Sequence, residues 1–497
     1  MSQKSIIIIG AGLAGLSAGC YARMNGYETR IFELHNIPGG VCTDWQRSGY
    51  TFDGCIHFLI GCKPHNSTYL LYQELGVLKS CEFRIRRGFN SIIDEETGKR
   101  LVLTNDLDKL ASDMKALAPD DGKIIDEFIE GCKAMRSFDM GLPQPRELMG
   151  LLDNIKLYWN MRGHLKCFGR YNIPVADFAR RIQDPFLRDC ISYLFLPEMP
   201  LFLLFIFLGQ LSAGQLGYIE GGSRKFAEAV AGRYRELGGE IMYGAEVKEI
   251  LVEGNKAVGV RLADGSAHRA DTVISAADGY STIFEMIGGR YVDQPIRERY
   301  EQWPLFSPIV TVSFGIDGKF PDQPHTQTLL FKEPQYITGL DTRGLMIRVF
   351  DYDPSLAPEG KTVVQVVYET DYDYWMDLRQ DRPRYETEKA EAAKIVLAKL
   401  ERLMPGITSR VEVTDVATPY TLWRYTRNYR GAFEGWLMTP EMIKTRVPKT
   451  LPGLSGFYMA GQWVEPGGGI SAAMYSGRNV IQIISNREGK RFVADVP

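Results

Sequence analysis

Three glycines near the start of the chain have the spacing of a phosphate-binding turn. Gly10, Gly12 and Gly15 follow the apolar run Ile6–Ile9, which predicts a buried strand, and precede a helical pattern over Leu13–Asn25. The first glycine permits a tight bend, the second lets the backbone approach a pyrophosphate, and the third lets the helix pack closely on the strand. The helix N-terminus adds N–H groups for the phosphates. This order predicts a dinucleotide-binding βαβ unit.

A carboxylate and a second pair of glycines follow. Glu33 ends the next predicted strand, where its carboxylate can accept hydrogen bonds from a ribose diol and would repel the 2′-phosphate of NADP. Gly39 and Gly40, followed by Val41, can bring further backbone N–H groups to a pyrophosphate. Taken alone, that pair is also compatible with an ordinary loop. NAD-binding domains do not need it, whereas two-dinucleotide-fold flavoproteins have it, so it favours FAD.

Composition and charge narrow the functional class. The 497 residues are 45% hydrophobic and 24% charged, a globular balance that suggests two or three domains. The net charge of −3 disfavours nucleic-acid binding. Eight cysteines without a C-x-x-C pair suit reduced thiols in a cytoplasmic protein. The apolar run Leu201–Leu208 is far shorter than the roughly 20 residues of a spanning helix, so none is expected.

The predicted elements change type along the chain. Helical periodicity dominates from about residue 105 to 210, strands return after Gly221 and again over 308–370, and an amphipathic helix covers Arg384–Met404. We predict an α/β fold: a Rossmann-like, two-dinucleotide-binding-type domain made of three separated segments. An inserted mixed α+β substrate domain contains a helical, membrane-facing part. The boundaries are 1–75, 215–290 and 451–497 for the nucleotide domain, 76–214 for the helical region and 291–450 for the sheet-plus-helix region.

Motifs at three places in the chain resemble those of one flavoprotein group. Besides the first glycines and Glu33, the matching segments are Gly49-Tyr50-x-Phe52-Asp53, Glu220-Gly221-Gly222-Ser223, Val247, Tyr458-Met459-Ala460-Gly461 and Pro466-Gly467-Gly468-Gly469-Ile470. Together they resemble the family of phytoene desaturases, carotenoid isomerases and retinol saturases. The resemblance spans the chain and is strongest in the three segments assigned to the nucleotide domain.

The resemblance implies a bound FAD on which the C-terminal segment closes. No cysteine lies near residues 461–477, so the FAD is expected to be non-covalent. The expected FAD contacts are Gly10, Gly12, Leu13, Ala14, Gly15, Glu33, Gly39, Gly40, Val41, Val247, Gly461, Gly468, Gly469 and Ile470.

Two positions depart from the commoner patterns of related flavoproteins. Gln462 stands where many of them, amine oxidases often included, have an acid after the glycine, so an amine oxidase interpretation loses ground. After Phe52-Asp53 desaturases usually continue with a glycine-proline pair, whereas this chain continues Gly54-Cys55-Ile56-His57-Phe58, and an Ile-His at this place is more similar to retinol saturases and their bacterial relatives.

His57 and Glu465 are the candidates for acid–base chemistry beside the flavin. Histidine titrates near neutrality, and Glu465 lies just before the C-terminal glycine cluster. Each also has a structural alternative: a histidine bonded to a backbone carbonyl, or a carboxylate bonded to N–H groups of a turn. An aromatic–basic cluster is a candidate for the substrate mouth or for a structural role: Tyr420, Arg424, Tyr425 and Arg427.

Neither a metal nor a second dinucleotide is expected. The spacing of Cys55, His57, Cys62 and His65 matches no common zinc pattern. No second G-x-G-x-x-G follows a predicted strand, so electrons pass between the flavin and an external carrier, such as a quinone, oxygen, or a reduced flavin or ferredoxin. The other alternative is a redox-neutral cycle.

Segment 156–181 has a charge pattern unlike the rest of the chain. It carries six basic residues against one acid, with aromatic residues interleaved, and the run Leu201–Leu208 follows closely. Basic and aromatic residues beside an apolar plug predict peripheral contact with an anionic membrane. The alternative is a solvated helix face beside a buried core.

Three functions remain open. The leading hypothesis is an FAD enzyme that desaturates, saturates or isomerises C=C bonds of a long apolar isoprenoid, carotenoid-like, retinoid-like or other lipid. The second is a flavin amine oxidase, and the third is a non-catalytic prenyl-binding escort protein of the same fold. An escort protein need not have the pyrophosphate glycines, Glu33 and the C-terminal glycine cluster together. This chain has all of them, which favours an enzyme.

Overall fold

The computed structural model describes residues 3–85, 88–139 and 141–497. The strands within these ranges are β1 (Ser5–Ile9), β2 (Glu28–Phe32), β3 (Asp44–Arg47), β4 (Tyr50–Asp53), β5 (Leu59–Ile60), β6 (Phe83–Ile85), β7 (Gly88–Asp94), β8 (Arg100–Thr104), β9 (Leu216–Ile219), β10 (Glu240–Met242), β11 (Val247–Glu253), β12 (Lys256–Leu262), β13 (Ala267–Arg269), β14 (Thr272–Ser275), β15 (Ile309–Ile316), β16 (Thr326–Ile337), β17 (Leu340–Val349), β18 (Thr362–Glu369), β19 (Val411–Ala417) and β20 (Phe457–Met459).

The α-helices of the same ranges are joined by loops and short 3₁₀ or π turns. They are α1 (Leu13–Met24), α2 (Ser67–Glu74), α3 (Val77–Ser80), α4 (Leu107–Leu117), α5 (Gly122–Ala134), α6 (Leu151–Met161), α7 (Leu165–Arg170), α8 (Val175–Ala179), α9 (Pro185–Tyr193), α10 (Leu201–Ser212), α11 (Gly222–Glu236), α12 (Gln294–Gln302), α13 (Tyr372–Leu378), α14 (Arg382–Leu403), α15 (Pro419–Thr426) and α16 (Ile470–Arg487).

A five-stranded parallel sheet carries the nucleotide unit. Its order is β10-β2-β1-β14-β20, so strands from distant parts of the chain lie side by side. The isoleucines of β1 are buried, as expected for a strand covered on both faces. Helix α1 packs against α16 and α11. The predicted α/β class is confirmed, and the domain boundaries stay predictions.

A larger mixed sheet forms the opposite side of the molecule. Its order is β19-β15-β18-β17-β16-β7-β8, in which β16 and β7 are parallel and the other neighbours are antiparallel. Helix α14 buries Val396 and Leu400 in the core of this sheet. The N-terminal strands β7 and β8 therefore join a sheet whose other strands come from residues after 308.

Helices α4, α5 and α7 to α10 form a third layer. The run Leu201–Leu208 lies in α10, and all of its residues except Leu203 are buried. Helix α10 packs on α5, so the run is the interior of the helical layer. The expectation that it forms an apolar plug at a membrane is therefore wrong. In the described ranges, no helix combines the length and the apolar character needed to cross a bilayer.

Candidate functional site

A cavity of about 1410 Å³ lies between the parallel sheet, the larger sheet and the helical layer. Pockets for drug-sized ligands usually enclose roughly 300–1,000 Å³, so this cavity has room for a dinucleotide and a second molecule. The β1–α1 turn and the closing glycines near residue 468 line one part, and apolar side chains from α10 and the larger sheet line another.

The glycine turn forms one end of the cavity. Gly10 has φ of +94°, which an L side chain rarely adopts, and it leads into Gly12 at the N-terminus of α1. Gly39 pairs with this turn, since its N–H donates to the Ala11 carbonyl at 2.8 Å. Gly15 does not line the cavity, and a Cβ there would collide with the Gly10 carbonyl oxygen. Its role is the close helix–strand packing expected of a third glycine.

Gly12 shows that this end fits a pyrophosphate. A Cβ added to Gly12 would meet no atom within 4 Å, so the space beside its backbone is open. Leu13 and Ala14 begin α1 and line the same space with Gly40 and Val41. The N–H groups of a helix N-terminus therefore border a space that a phosphate group would fill.

Glu33 lies at the adjoining part of the cavity, where a ribose is expected. Its Oε2 accepts the Ala11 N–H at 2.6 Å and its Oε1 accepts the His35 N–H at 2.8 Å. Burial raises the pKa of Glu33, and these two hydrogen bonds oppose that rise. Val247 begins β11 and lines the cavity beside it, because the Ala245 N–H donates to the Glu33 carbonyl at 2.8 Å.

The aromatic–basic cluster is divided by the fold. Tyr425 and Arg427 line the cavity, and Tyr420 and Arg424 do not. The Tyr425 ring packs edge-on against His35 at 4.8 Å, and Arg427 pairs with Glu246 at 3.4 Å. These contacts place Tyr425 and Arg427 beside the Glu33 end of the cavity.

The C-terminal glycines approach the first glycine turn. Gly461, Gly468, Gly469 and Ile470 all line the cavity, and Ile470 begins α16. The φ angles of the three glycines are +104°, +67° and +85°, in the left-handed region that favours glycine. The Gly461 N–H donates to Ser476 Oγ of α16 at 2.7 Å, which fixes the turn to the helix. A second helix N-terminus therefore faces the same cavity.

The two acid–base candidates have different locations. His57 lines the cavity, next to Ile56, whose carbonyl accepts a hydrogen bond from Arg348 Nη2 at 2.6 Å. Glu465 does not line it: its Oε1 lies 2.8 Å from Lys449 Nζ and accepts from Asn479 Nδ2 at 3.1 Å. The expectation that Glu465 lies at the flavin is corrected, because Lys449 and Asn479 hold its carboxylate outside the cavity.

Three charged groups in the cavity lining were not identified from the sequence: Arg348 and Asp278 are buried, and Glu434 is half-buried. Arg348 makes no ion pair within the described chain and stacks over Phe350 at 4.5 Å. Burial raises the pKa of Asp278 to about 7, although both of its oxygens accept backbone N–H groups. Burial also raises the pKa of Glu434 to about 7. The available signal for Glu434 was weak: a single acid within the otherwise apolar segment 432–437.

The part of the cavity away from the glycines is apolar. Phe58, Phe89 and Phe207 form a cluster with ring centroids 4.5–5.5 Å apart. Further apolar residues of the cavity lining include Leu196, Leu203, Ile206, Phe306, Leu330, Met346, Phe433 and Leu437. Glu198 and Glu369 lie in the same lining, and burial together with the Glu198 carboxylate raises the pKa of Glu369.

Comparison with known proteins agrees with this geometry. The family model for flavin containing amine oxidoreductases matches residues 13–484. The chloroplastic prolycopene isomerase of Daucus carota is 24% identical over 498 residues, which cover 96% of this chain and 79% of that protein. The phytoene desaturase (neurosporene-forming) of Rhodobacter capsulatus is 26% identical over 511 residues, which cover 96% and 93%.

A solved structure agrees in fold. A double mutant of putrescine oxidase is 14% identical to this chain and gives a TM-score of 0.64, covering 97% of this chain and 99% of that one. At this identity the likeness shows a shared fold alone.

The family match includes most of the chain, and the resemblance to carotenoid-related flavoproteins is confirmed. With the open space at Gly12 and the two helix N-termini, the cavity suits the dinucleotide that this family binds. The chain belongs to the flavin containing amine oxidoreductase family and is an FAD-type oxidoreductase.

Proposed function

We propose that this protein desaturates, saturates or isomerises C=C bonds of a long apolar isoprenoid, carotenoid-like, retinoid-like or other lipid. The observation that carries the proposal is the apolar part of the cavity, where Phe58, Phe89 and Phe207 pack together in the same cavity as the glycine turns. Relatives named as a prolycopene isomerase and a phytoene desaturase support it.

The energetics of such a cavity suit a hydrocarbon substrate. Each Å² of apolar surface removed from water contributes about 25 cal/mol, so a long chain is held without polar anchors. A hydrocarbon also brings no hydrogen-bonding groups that the Phe58 cluster would leave unpaired. The Phe58 cluster thus favours substrates whose reactive feature is a C–C or C=C bond.

In this proposal the protein binds, orients and shields the substrate. Bound FAD supplies hydride transfer. Gly12, Glu33 and the closing glycines hold the dinucleotide, and the apolar wall presents the substrate and excludes water. His57 remains a candidate for proton transfer. Electrons leave or enter through an external carrier of the quinone, oxygen or reduced flavin or ferredoxin type, or the cycle is redox-neutral.

The test is a substrate panel. FAD-loaded protein is incubated with linear polyenes and retinoids of graded length, and products are measured by mass and by chromatographic retention. We expect a mass change of two hydrogens, or an isomer of unchanged mass, for at least one long polyene. Gly12→Val is the control, because its side chain would occupy the pyrophosphate space and abolish FAD binding. Turnover of amines but of no polyene would contradict the proposal.

Amine oxidation is a second candidate because of one observation. Glu198 and Glu369 line the apolar part of the cavity, and two neighbouring carboxyl groups attract an ammonium ion. Position 462, where amine oxidases often have an acid, is a glutamine in this chain, and this opposes the function. The same panel separates the two, since polyamines and monoamines would release hydrogen peroxide only if this candidate holds.

The proposal includes contact with an anionic lipid surface through α6. Leu151, Leu152 and Trp159 of this helix are 78%, 80% and 63% exposed. A cytoplasmic protein that takes its substrate from a bilayer needs such a surface, and basic residues adjoin it.

A further inference from the structure

Glu434 is a carboxyl group that lines the cavity at the closing glycines. It lies between α15 and β20, and a Cβ added to Gly468 would collide with Glu434 Oε2. The carboxyl therefore lies directly against the glycine turn that the FAD is expected to contact. Its neighbours Phe433 and Leu437 line the same cavity and are apolar.

Nothing within the described chain explains this carboxyl as a structural group. Glu434 has no hydrogen bond or ion pair there, whereas Asp278 accepts N–H groups from Ser281 and Tyr429, each at 2.8 Å. Glu434 is half-buried, and a carboxylate that loses part of its hydration without gaining a partner is destabilised, which favours its protonated form. Burial raises the pKa of Glu434, with no contribution from another charged side chain of the described ranges.

We propose that Glu434 exchanges the proton that accompanies hydride transfer in this cavity, a role that rests on the proposed function. When a CH–CH unit becomes C=C, one carbon loses a hydride with both bonding electrons to the FAD. The neighbouring carbon loses a proton, and the electrons of that C–H bond form the double bond. The Glu434 carboxylate takes this proton and becomes neutral; in the reverse direction the neutral carboxyl returns it.

Its position suits this task in both directions. A group that is close to half-protonated at neutral pH is present as acid and as base in comparable amounts, which is the optimum for general acid–base catalysis. If FAD binds with its flavin against the Gly468 turn, the negative charge of the reduced form would favour the neutral carboxyl. Glu434 should therefore take up a proton when the flavin is reduced, with or without substrate.

The first experiment uses that linkage and needs no substrate. The two-electron reduction potential of the bound FAD is measured against pH for the wild type and Glu434→Gln, which keeps the size and removes the titration. In the wild type the slope should steepen by one extra proton per two electrons above about pH 7, near the raised pKa of Glu434. In Glu434→Gln that steepening should be absent, and Glu441→Gln, at an exposed glutamate nearby, should behave as the wild type. A steepening that persists in Glu434→Gln overturns the proposal.

The second experiment follows the proton itself. A substrate converted by the wild type is incubated in heavy water, and deuterium in the recovered substrate and product is measured. Removal of a general acid–base group typically costs about 10²–10⁴-fold, so Glu434→Gln should lower incorporation by at least a hundredfold. If His57→Gln loses deuterium incorporation while Glu434→Gln keeps the wild-type level, the proton is assigned to His57 and the proposal is overturned.

Two further outcomes are separable. If Glu434→Gln does not retain FAD, the potential is measured in Glu434→Asp, which keeps a titrating carboxyl group. The reduction potential of this variant must keep the steeper dependence on pH, and loss of that dependence overturns the proposal. If no polyene is converted, the proposed substrate class fails, while the potential measurement still decides whether Glu434 exchanges a proton on flavin reduction.

Discussion

Helices α6 and α10 lie in the same helical stretch of the chain, and both are rich in large apolar residues, yet their environments are opposite. In α10, Phe205 and Leu208 are fully buried. In α6, Leu151 and Leu152 are about four-fifths exposed, at 78% and 80%. Apolar content alone therefore does not tell which helix faces outward. Packing against other helices determines the exposure: α5 and α8 contact α10, whereas α6 has no buried residue.

The charges of the two segments sharpen this contrast. Three of the six basic residues between 156 and 181 are neutralised within the described chain: Arg170 and Arg181 pair with Glu127 and Arg180 pairs with Asp177. The other three, Lys156, Arg162 and Lys166, make no ion pair there. Lys156 lies in α6, Arg162 directly follows it and Lys166 lies in α7, the next helix, so the unpaired positive charge is close in sequence to the exposed apolar side chains.

The largest expected effect is on α10. Phe205→Ala removes a ring that contacts Phe128 and Tyr171 at 5.4 and 5.0 Å, and it leaves a cavity in the core. We expect the free energy of unfolding to fall by about 3–5 kcal/mol. Leu152→Ala in α6 should change it by less than about 0.5 kcal/mol. Denaturant unfolding at fixed FAD concentration measures both, since bound FAD itself stabilises. Equal effects of the two variants would contradict the assigned burial.

The same distinction explains which parts of the site were predictable. The glycine turn, Glu33 and Gly39-Gly40 lie within 10–40, and their roles depend on the backbone of one βαβ unit. A local pattern therefore contains almost all the information needed. The closing glycines were found by resemblance, and they line the cavity as expected.

The residues that were misplaced or missed depend on contacts between distant parts of the chain. Glu465 follows Gly461 by a short turn, but Lys449 and Asn479 hold its carboxylate outside the cavity. Glu434 is enclosed because the turn at Gly468 lies against it. No local sequence pattern predicts the contacts of Glu465 or of Glu434, because the surroundings of a side chain depend on the tertiary fold. For the same reason the sequence left open whether Leu201–Leu208 is buried or meets a membrane.

A second prediction tests the exposed helix. The triple variant Leu151→Ser, Leu152→Ser and Trp159→Ser removes apolar side chains that would enter the lipid. Burying one such side chain contributes about 1.5–3 kcal/mol, so affinity for anionic vesicles should fall at least about a hundredfold. Vesicle co-sedimentation measures it. Tyr336→Ser, at a tyrosine that is 62% exposed on β16, is the control and should bind as the wild type. Unchanged binding of the triple variant would show that α6 does not contact the membrane.

The smallest expected effect is that of the charges beside α6. Each basic residue near an anionic surface contributes about 1 kcal/mol, so Lys156→Gln with Lys166→Gln should weaken vesicle binding by about thirtyfold at low salt. Added salt should reduce that difference, because at about 0.15 M the screening length is only about 8 Å. Arg180→Gln is the matched control: Arg180 already pairs with Asp177, so its loss should matter less than that of either lysine. If Arg180→Gln weakens binding as much as the two lysine substitutions together, the surface is a diffuse basic patch and α6 has no special role. If the lysine variant loses binding only at low salt and the serine variant loses it at every salt concentration, apolar insertion by α6 is the main term and the charges assist it.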